Sequence, residues 1–594
     1  MKDGHDPLTE AFDYDPDAGP PSERPEGIPR GYRLREDGVY RRVEDKDGKP
    51  IWIWLCSPIQ VLALPRDRHG RGWGRLLEVT DPDGRKHRWS APMRLFAGDG
   101  TELRAVLMDL GFDLAPGPAA RAATMEMLSR WRPGARALTA ERLGWVDETL
   151  SAFVLGDGRV LGDAEVVYQS DHAPGVAEAM RPAGTLQRWR DKVASLCVDN
   201  PLVMTAVSLA FSGPLLEPLA QDGGGLHLRG ASSRGKSTAL RVAASVWGGP
   251  RLVQSWRATS NGLEGVAAAF NGALLALDEM GEVSGREAGA AAYMLANGTG
   301  KARASRVGTA RPAARWRVAV LSSGELSLAD KVAEAGGRAA AGQEVRLLDI
   351  PATERRFGAF DELHGAEEGA AFSDRVRAAT AANHGTVGPT FVERLLDDLE
   401  GGVATVRTFR DRSRTLAKER FRLEAEGQVS RAVDRLALIA AAGEMATFWG
   451  LTGWSPGAAL EAALTVFDLW LDGRGGCGPA EARDALERTR AFLVEHGSSR
   501  FEVLGDDRER FGGGDRPVIH RAGWKHQGLY YIAVSAWADI HSGSDPKQAA
   551  RHLAEAGFLD APQPDRFTRR TPRSVEGRPN CYAVKAEILG GGDG

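Results

Sequence analysis

The sequence predicts an α/β protein with a parallel sheet and a phosphate-binding loop, and three observations support this. A glycine-rich segment at residues 230–237 stands between a short apolar strand and an apolar helix. The next apolar strand ends in two carboxylates, Asp278 and Glu279. Strand-like and helix-like patterns alternate over residues 186–355, as is typical of parallel sheets, whose strands need long crossover connections.

The glycine-rich segment reads G-A-S-S-R-G-K-S and matches the Walker A phosphate loop. Its glycines let successive N–H groups face the β-phosphate, Lys236 is expected to reach the β- and γ-phosphates, and Ser237 to bind Mg²⁺. A Gly/Ser-rich surface turn is the alternative, but the flanking strand and helix favour the phosphate loop. The residues expected to bind nucleotide are Gly230, Ala231, Ser232, Ser233, Arg234, Gly235, Lys236, Ser237 and Thr238.

The carboxylate pair follows the run Ala-Leu-Leu-Ala-Leu, which is typical of a strand buried on both faces. We expect Asp278 to hold Mg²⁺ through water and Glu279 to polarise an attacking water. Taken alone, Asp-Glu after a strand would be interpreted as the cap and first turn of a helix. Together with the phosphate loop, it predicts a Walker B motif.

Length and composition limit the possible classes of protein. With 594 residues the chain should form several domains, and a net charge of −4 argues against a generally basic nucleic-acid coat. The four cysteines form no C-x-x-C pair, which excludes a cysteine zinc ribbon and a disulfide framework and suits the cytoplasm. No apolar run approaches the roughly eighteen residues of a membrane-spanning helix, so we expect no membrane partner.

The pattern along the chain predicts five regions. Residues 81–84 mark a hairpin turn, and helical patterns near 101–112 and 118–131 interrupt the early strands. The predicted regions are a disordered acidic, proline-rich tail (1–45), an α+β N-terminal domain (46–185), a P-loop ATPase core (186–371), a helical lid region (372–505) and a winged-helix-like domain (506–594).

A basic segment, residues 301–317, carries six basic residues and no acid. Lys301, Arg303 and Arg306 have strand-like spacing, and Gly308 allows the chain to turn back. Such a hairpin would contact DNA phosphates without reading sequence. A solvated charged loop is the alternative, but the position just ahead of a core strand favours DNA binding.

Further candidates follow the basic segment. Ser322 or Ser323, at the tip of the next strand, could orient the attacking water, although strand ends also carry serine for turns. We choose Ser323 as the catalytic candidate. Arg346 is the candidate arginine finger for a neighbour's γ-phosphate, with Arg338 in reserve and a surface ion pair as the alternative. Arg431 is a weaker candidate for a nucleotide sensor.

The C-terminal region shows two short helical patterns followed by two strand-like segments, the outline of a winged helix. Winged helices bind DNA, but they also serve as protein docking modules. The basic residues of its hairpin are Arg569, Arg570, Arg573 and Arg578, of which we select Arg569 and Arg570 as DNA contacts.

Several of these motifs together resemble the DUF927 family of P-loop ATPases from phages and integrative elements. The segments that carry the resemblance are 230–250, 255–264, 277–280, 293–303, 321–325 and 341–346. Some members of the family look like self-loading, MCM-like replicative helicases of the AAA+ superfamily. The resemblance extends over residues 50–500.

The resemblance implies an AAA+ core in which residues 301–317 form a channel hairpin ahead of the sensor 1 strand. Ser322 or Ser323 stands where MCM helicases usually have asparagine, so the sequence departs from the family pattern there. The implied function is an ATP- and Mg²⁺-dependent DNA helicase of a phage or mobile element, acting in replication as a homo-oligomeric ring, with a hexamer expected. The alternative is a P-loop loader, packaging or defence ATPase that does not separate strands.

Overall fold

The computed structural model describes residues 25–67, 69–140, 142–163, 165–168, 174–301, 303–304, 310–311, 313–336, 345–421, 423, 427–474, 480–505, 518, 520–542, 545–563 and 566–590. The helices are α1 Thr101–Asp109, α2 Pro118–Arg130, α3 Pro174–Ala179, α4 Leu186–Lys192, α5 Pro201–Ser212, α6 Lys236–Ala244, α7 Ser260–Ala269, α8 Gly285–Asn297, α9 Leu328–Glu334, α10 Gly369–Ala382, α11 Val387–Asp397, α12 Leu399–Arg420, α13 Gln428–Phe448, α14 Ala458–Arg474, α15 Ala480–His496, α16 Val534–Ile540 and α17 Pro546–Glu555.

The strands alternate with these helices. They are β1 Tyr32–Arg35, β2 Gly38–Glu44, β3 Pro50–Cys56, β4 Ile59–Arg66, β5 Gly74–Thr80, β6 Lys86–Pro92, β7 Arg136–Ala140, β8 Gly144–Trp145, β9 Ala152–Val154, β10 Val160–Gly162, β11 Val166–Tyr168, β12 Gly224–Arg229, β13 Gln254–Ser255, β14 Leu274–Asp278, β15 Arg303–Ala304, β16 Ala310–Arg311, β17 Ala319–Gly324, β18 Leu347–Pro351, β19 Phe501–Val503, β20 Gly523–His526, β21 Leu529–Ala533, β22 Arg569–Arg570 and β23 Asn580–Lys585.

The N-terminal region contains an antiparallel sheet of β1–β3 and a mixed sheet in the order β11-β7-β4-β5-β6. Strands β1 and β2 lie inside residues 1–45, for which the sequence analysis predicts a disordered tail. They form because Tyr32 and Val39 are buried in a common apolar cluster with α1 and α2. Of that predicted tail, residues 1–24 lie outside the described part of the chain.

The central sheet is parallel, as predicted, with the order β13-β14-β17-β12-β18. Its inner strands are almost wholly buried, because helices cover both faces of a sheet built from crossover connections. Strand β17 lies between β14 and β12, and the register pairs Leu226 with Leu321. The carboxyl ends of β12, β14 and β17 therefore meet at one edge.

One hydrophobic core extends from the β7–β9 region through the central sheet to α14. Trp145 and Phe153, which the sequence analysis places in the N-terminal domain, pack into this core, where their rings form an edge-to-face pair. The indole N–H of Trp145 donates to the carbonyl of Pro214 (2.8 Å), so the buried ring keeps a polar partner. The segment around β8 and β9 thus packs with the central sheet.

The C-terminal region forms a separate core around a sheet with the order β19-β20-β21-β23-β22. Helix α15, which the sequence analysis assigns to the lid region, contributes Ala485 and Leu493 to this core. Helices α16 and α17 match the two predicted short helices, and β22 pairs with β23 in antiparallel fashion. Among the described residues, no helix is both long and apolar enough to cross a membrane.

Candidate nucleotide-binding site

The predicted phosphate loop connects β12 to α6, which begins at Lys236. Gly230 and Gly235 have φ values of 147° and 93°, which L-residues with side chains rarely adopt. A Cβ atom at Gly230 would lie 2.1 Å from Oγ1 of Thr353, and one at Gly235 would lie 2.6 Å from the ring of Phe360. Both glycines are therefore required by conformation and by close packing.

The Lys236 ammonium lies against the first residues of this loop. Its Nζ donates hydrogen bonds to the carbonyl oxygens of Gly230 and Ala231, both at 2.7 Å. Burial lowers the pKa of Lys236, whereas the nearby carboxylates of Glu279 and Asp278 act in the opposite direction. The lysine charge is thus placed inside the loop that would surround a phosphate.

Asp278 joins the loop helix to the adjacent strand end. Its Oδ1 accepts a hydrogen bond from Ser237 Oγ (3.2 Å) and another from Ser323 Oγ. Nowhere in the described residues do three or more His, Cys, Asp or Glu side chains form a metal-binding group. A carboxylate beside a hydroxyl fits Mg²⁺, which usually takes few protein ligands and fills its shell with water and phosphate oxygens.

Glu279 follows Asp278 in a left-handed conformation, with φ 63° and ψ 66°. This conformation is costly for a residue other than glycine, and such strain clusters at functional sites. The backbone N–H of Glu279 donates to Ser323 Oγ at 3.4 Å. The turn directs the chain away from the strand and leaves Glu279 exposed at the same sheet edge as Lys236.

The two candidate serines of β17 lie on opposite sides of the sheet because strand side chains alternate. Both serines are buried, but Ser323 contacts Asp278, whereas Ser322 makes its contacts on the other side. Ser322 Oγ accepts from Trp256 Nε1 (2.8 Å) and lies 2.9 Å from His227 Nδ1. Of the pair, only Ser323 can take part directly in chemistry at this edge.

His227 is a buried residue of β12 that the sequence analysis does not select. Its Nε2 lies 2.9 Å from the carbonyl oxygen of Leu326, which can only accept, so Nε2 carries the proton and Nδ1 accepts from Ser322. Burial lowers the pKa of His227 and keeps the ring neutral. A histidine inside the apolar strand Gly-Gly-Leu-His-Leu-Arg is the signal that could have indicated this network.

A segment after β18, residues 353–361, packs against the phosphate loop. The N–H of Ala359 donates to the carbonyl of Arg234 at 2.8 Å. Arg355 makes a two-pronged ion pair with Asp361 (2.7–3.0 Å), and Oδ1 of Asn200 accepts from the Asp361 N–H at 2.8 Å. No sequence motif indicates this support, because its partners lie far apart in the chain.

Arg346 lies at the amino ends of the strands, on the side of the sheet opposite the phosphate loop. It directly precedes β18, and its carbonyl accepts a hydrogen bond from the N–H of Gly225 near the start of β12. Its guanidinium carbon is 4.7 Å from the centroid of the half-exposed Tyr293 ring. Nearby, the pKa of Arg435 is lowered to about 10, mainly by burial and in smaller part by the positive charge of Arg346, against the opposing effect of Asp222. The candidate finger is therefore remote from the phosphate loop of its own chain.

The other predicted site residues are distributed as follows. Strands β15 and β16 pair in antiparallel register, with Arg303 opposite Arg311, and the N–H of Lys301 donates to Glu264 (3.3 Å). Arg306 and Arg338 lie outside the described residues. The remaining candidates are Arg431, exposed on α13, Arg569, paired with Asp560, and Arg570, exposed at the end of β22.

Comparisons with known proteins agree with this architecture. Residues 32–315 match the model of the DUF927 family, a domain of unknown function. A solved structure described as "SCCmec type IV Cch - active helicase" superposes with a TM-score of 0.68 at 19% identity, covering 94% of this chain and 99% of that one. At this identity, the similarity shows a shared fold. Comparison with curated proteins gave no match.

Proposed function

We propose that this protein is an ATP-driven DNA helicase or translocase of a phage or mobile element, acting in DNA replication. One observation carries the proposal: Lys236, Ser237, Asp278 and Ser323 come from three elements and converge at one edge of a parallel sheet. This is the chemistry of a P-loop ATPase. The fold shared with a structure described as an active helicase supports DNA as the partner.

The proposed reaction is hydrolysis of ATP at the phosphate loop. The loop N–H groups and Lys236 would bind the phosphates, while Ser237 and Asp278 would hold Mg²⁺. When bound, Mg²⁺ would neutralise charge on the transferred phosphoryl group. Glu279 accepts a proton from the attacking water, and Ser323 orients that water.

The strand order supports an AAA+ core. Strand β17, the proposed sensor strand, lies between the Walker A strand β12 and the Walker B strand β14. This order brings Ser323 next to Asp278. Arg346 lies too far from its own phosphate loop to act there, so a finger role requires a neighbouring subunit. We therefore propose a homo-oligomeric ring, with a hexamer expected.

Two surfaces are proposed to contact DNA. The first is the hairpin of β15 and β16, with Lys301, Arg303 and Arg306, which follows α8 and precedes the sensor strand. The second is the C-terminal unit, proposed as a winged helix, with Arg569 and Arg570 on its strand pair. Arginine and lysine on these elements would bind phosphates and give strong salt dependence.

ATPase and strand-displacement assays test the proposal. The wild-type ATPase rate should rise with single-stranded DNA, and duplexes with a 3′ or 5′ tail should be unwound in the presence of ATP and Mg²⁺. Lys236→Ala should abolish both activities, because the lysine neutralises phosphate charge at the reacting centre. Lys192→Ala, at an exposed position on α4, serves as the matched control.

Each outcome is decisive. Normal turnover in Lys236→Ala would overturn the site assignment. ATP hydrolysis without unwinding of either tailed duplex would overturn the helicase proposal and favour a loader, packaging or defence ATPase.

A further inference from the structure

The β1–β3 sheet has one face in the protein core and one face toward solvent. On the inner side, Tyr32, Val39 and Leu55 are buried in the apolar cluster with α1 and α2. The Tyr32 hydroxyl donates to the carbonyl of Ala123 in α2 at 3.2 Å, which attaches the sheet to that helix. This packing determines which side chains face outward.

The outer face carries three arginines and three aromatic rings. Register places Arg33 opposite Tyr40 and Tyr40 opposite Trp54, while Arg42 lies opposite Trp52. The residues of this face, named the arginine–aromatic face below, are Arg33, Arg35, Tyr40, Arg42, Trp52 and Trp54, all of them half-buried or exposed. The exposed Glu44 ends the same side of β2, and Trp54 also packs against the apolar cluster.

Cations and rings stack along this face. The Arg33 guanidinium carbon lies 4.5 Å from the centroid of the Trp52 ring, and that of Arg35 lies 5.4 Å from the Tyr40 ring. The Trp54 indole N–H donates to the carbonyl of Asp37 at 3.2 Å. These contacts restrict the orientations of the two guanidinium groups and of the aromatic rings.

The arginine charges of this face remain available to an external anion. Within the described part of the chain, no carboxylate oxygen lies within 4.0 Å of a guanidinium nitrogen of Arg33, Arg35 or Arg42. By contrast, Lys86 and Arg88 of β6 are both neutralised by Glu78, at 2.9 Å each. Asp37 accepts a hydrogen bond from the Tyr40 hydroxyl close to Arg35, so the charges of Arg33 and Arg42 are the ones farther from a carboxylate partner. Guanidinium groups beside aromatic rings attract a polyanion that also has stacking surfaces.

We propose that the arginine–aromatic face binds single-stranded DNA, with bases stacked on the Arg33–Trp52 and Arg35–Tyr40 pairs and phosphates held by the arginines. Unpaired bases offer such faces, whereas duplex bases are stacked on one another. The inference deepens the proposed function, because it names a DNA contact separate from the nucleotide site. The proposed DNA binding needs no ATP, so it can be tested independently of helicase activity.

The test measures binding of a fluorescent oligothymidine to the full-length protein without nucleotide, by anisotropy. Trp52→Ala should weaken binding by about fivefold to a hundredfold, the usual effect of losing one stacked base. Arg42→Gln should reduce the salt slope by about 0.7, which corresponds to one lost phosphate contact on a single strand. Both variants should keep the basal ATPase rate, since neither residue lies near Lys236.

Trp73→Ala is the matched control, because Trp73 is 42% exposed, stacks with Arg66 at 5.9 Å and lies outside this face. Wild-type affinity in both Trp52→Ala and Arg42→Gln would overturn the proposal, as would an equal loss in Trp73→Ala. Tighter binding to duplex than to oligothymidine would also overturn it.

Cross-linking of the unmutated protein covers the case in which a variant fails to fold. Iodouridine in the oligonucleotide should cross-link to peptides containing Trp52 or Trp54. Cross-links confined to peptides of residues 301–317 or of the C-terminal unit would overturn the proposal. Loss of helicase activity with retained cross-linking would instead contradict the proposed function alone.

Discussion

At the scale of single residues, Asp278 is the centre of the candidate site. It accepts hydrogen bonds from Ser237 and from Ser323, so one carboxylate connects the loop helix with two neighbouring strands. Glu279 follows in a strained left-handed conformation, so its side chain leaves the backbone in a different direction from that of Asp278. Two adjacent carboxylates can therefore take different roles, one toward a metal and one toward a water.

Glu279→Gln is expected to keep ATP binding and lose turnover. The amide preserves size and shape but cannot accept a proton from water. Nucleotide affinity can be measured with a fluorescent ATP analogue and turnover by phosphate release, with Glu282→Gln as the neighbouring control. Normal hydrolysis by Glu279→Gln would show that another residue activates the water.

His227 should make stability depend on pH. Because burial lowers its pKa in the folded state, the unfolded chain binds a proton more readily, and stability decreases as the pH falls below the ordinary histidine value of about 6.5. His227→Gln cannot titrate, so its melting temperature should fall less than that of the wild type between pH 7.5 and 5.5. Equal decreases in both proteins would contradict the role of His227.

At the scale of elements, the two faces of β17 make different kinds of contact. Ser323 faces the nucleotide site, and Ser322 faces the buried contacts with His227 and Trp256. The same strand therefore contributes to the candidate nucleotide site on one side and to the packing of β12 and the segment around Trp256 on the other.

The two serines should respond differently to the same substitution. Ser323→Ala should reduce kcat by about a hundredfold, as for a misplaced reacting group. Its melting temperature should fall less than that of Ser322→Ala, because Asp278 keeps its hydrogen bond from Ser237. Ser322→Ala should destabilise the protein by about 1–3 kcal/mol, because buried donors and acceptors lose their partner. Steady-state ATPase assays and thermal unfolding of both variants, each the control for the other, measure this. Identical behaviour would contradict the assignment.

The basic hairpin is the element proposed to move DNA. Replacement of Lys301, Arg303 and Arg306 by alanine should leave basal ATPase largely intact, because none belongs to the nucleotide site. It should remove stimulation by DNA and unwinding, with the salt slope of single-strand binding lowered by about 0.7 per lost phosphate contact. If this variant unwinds normally while a deletion after residue 505 does not, the C-terminal unit holds the DNA instead.

At the scale of the whole molecule, the central sheet and the helical region share one hydrophobic core. Helices α13 and α14 pack against α5 and β18 within that core. The packing of the helical region therefore depends on the central sheet. The C-terminal unit packs around a separate core.

The proposed ring can be tested by mixing subunits. Arg346→Ala should reduce turnover by about a thousandfold or more if it is an arginine finger. Mixing it with Lys236→Ala should restore part of the ATPase activity, because some interfaces then combine an intact site with an intact finger. No recovery in a mixture shown by native mass spectrometry to contain both subunits would contradict a trans role for Arg346.

Local patterns in the sequence were enough to predict the parallel sheet, the phosphate loop and the two carboxylates after a buried strand. These features depend on local spacing, and the carboxyl ends of parallel strands must meet at one edge. The three-dimensional arrangement is needed to show that Ser323 faces Asp278 and that His227 connects β12 with β17. It is also needed to show that the segment 353–361 contacts the loop and that Arg346 lies at the far edge. It also placed β1 and β2 within the predicted tail. Contacts between residues distant in the chain decide these points, and no local pattern records such contacts.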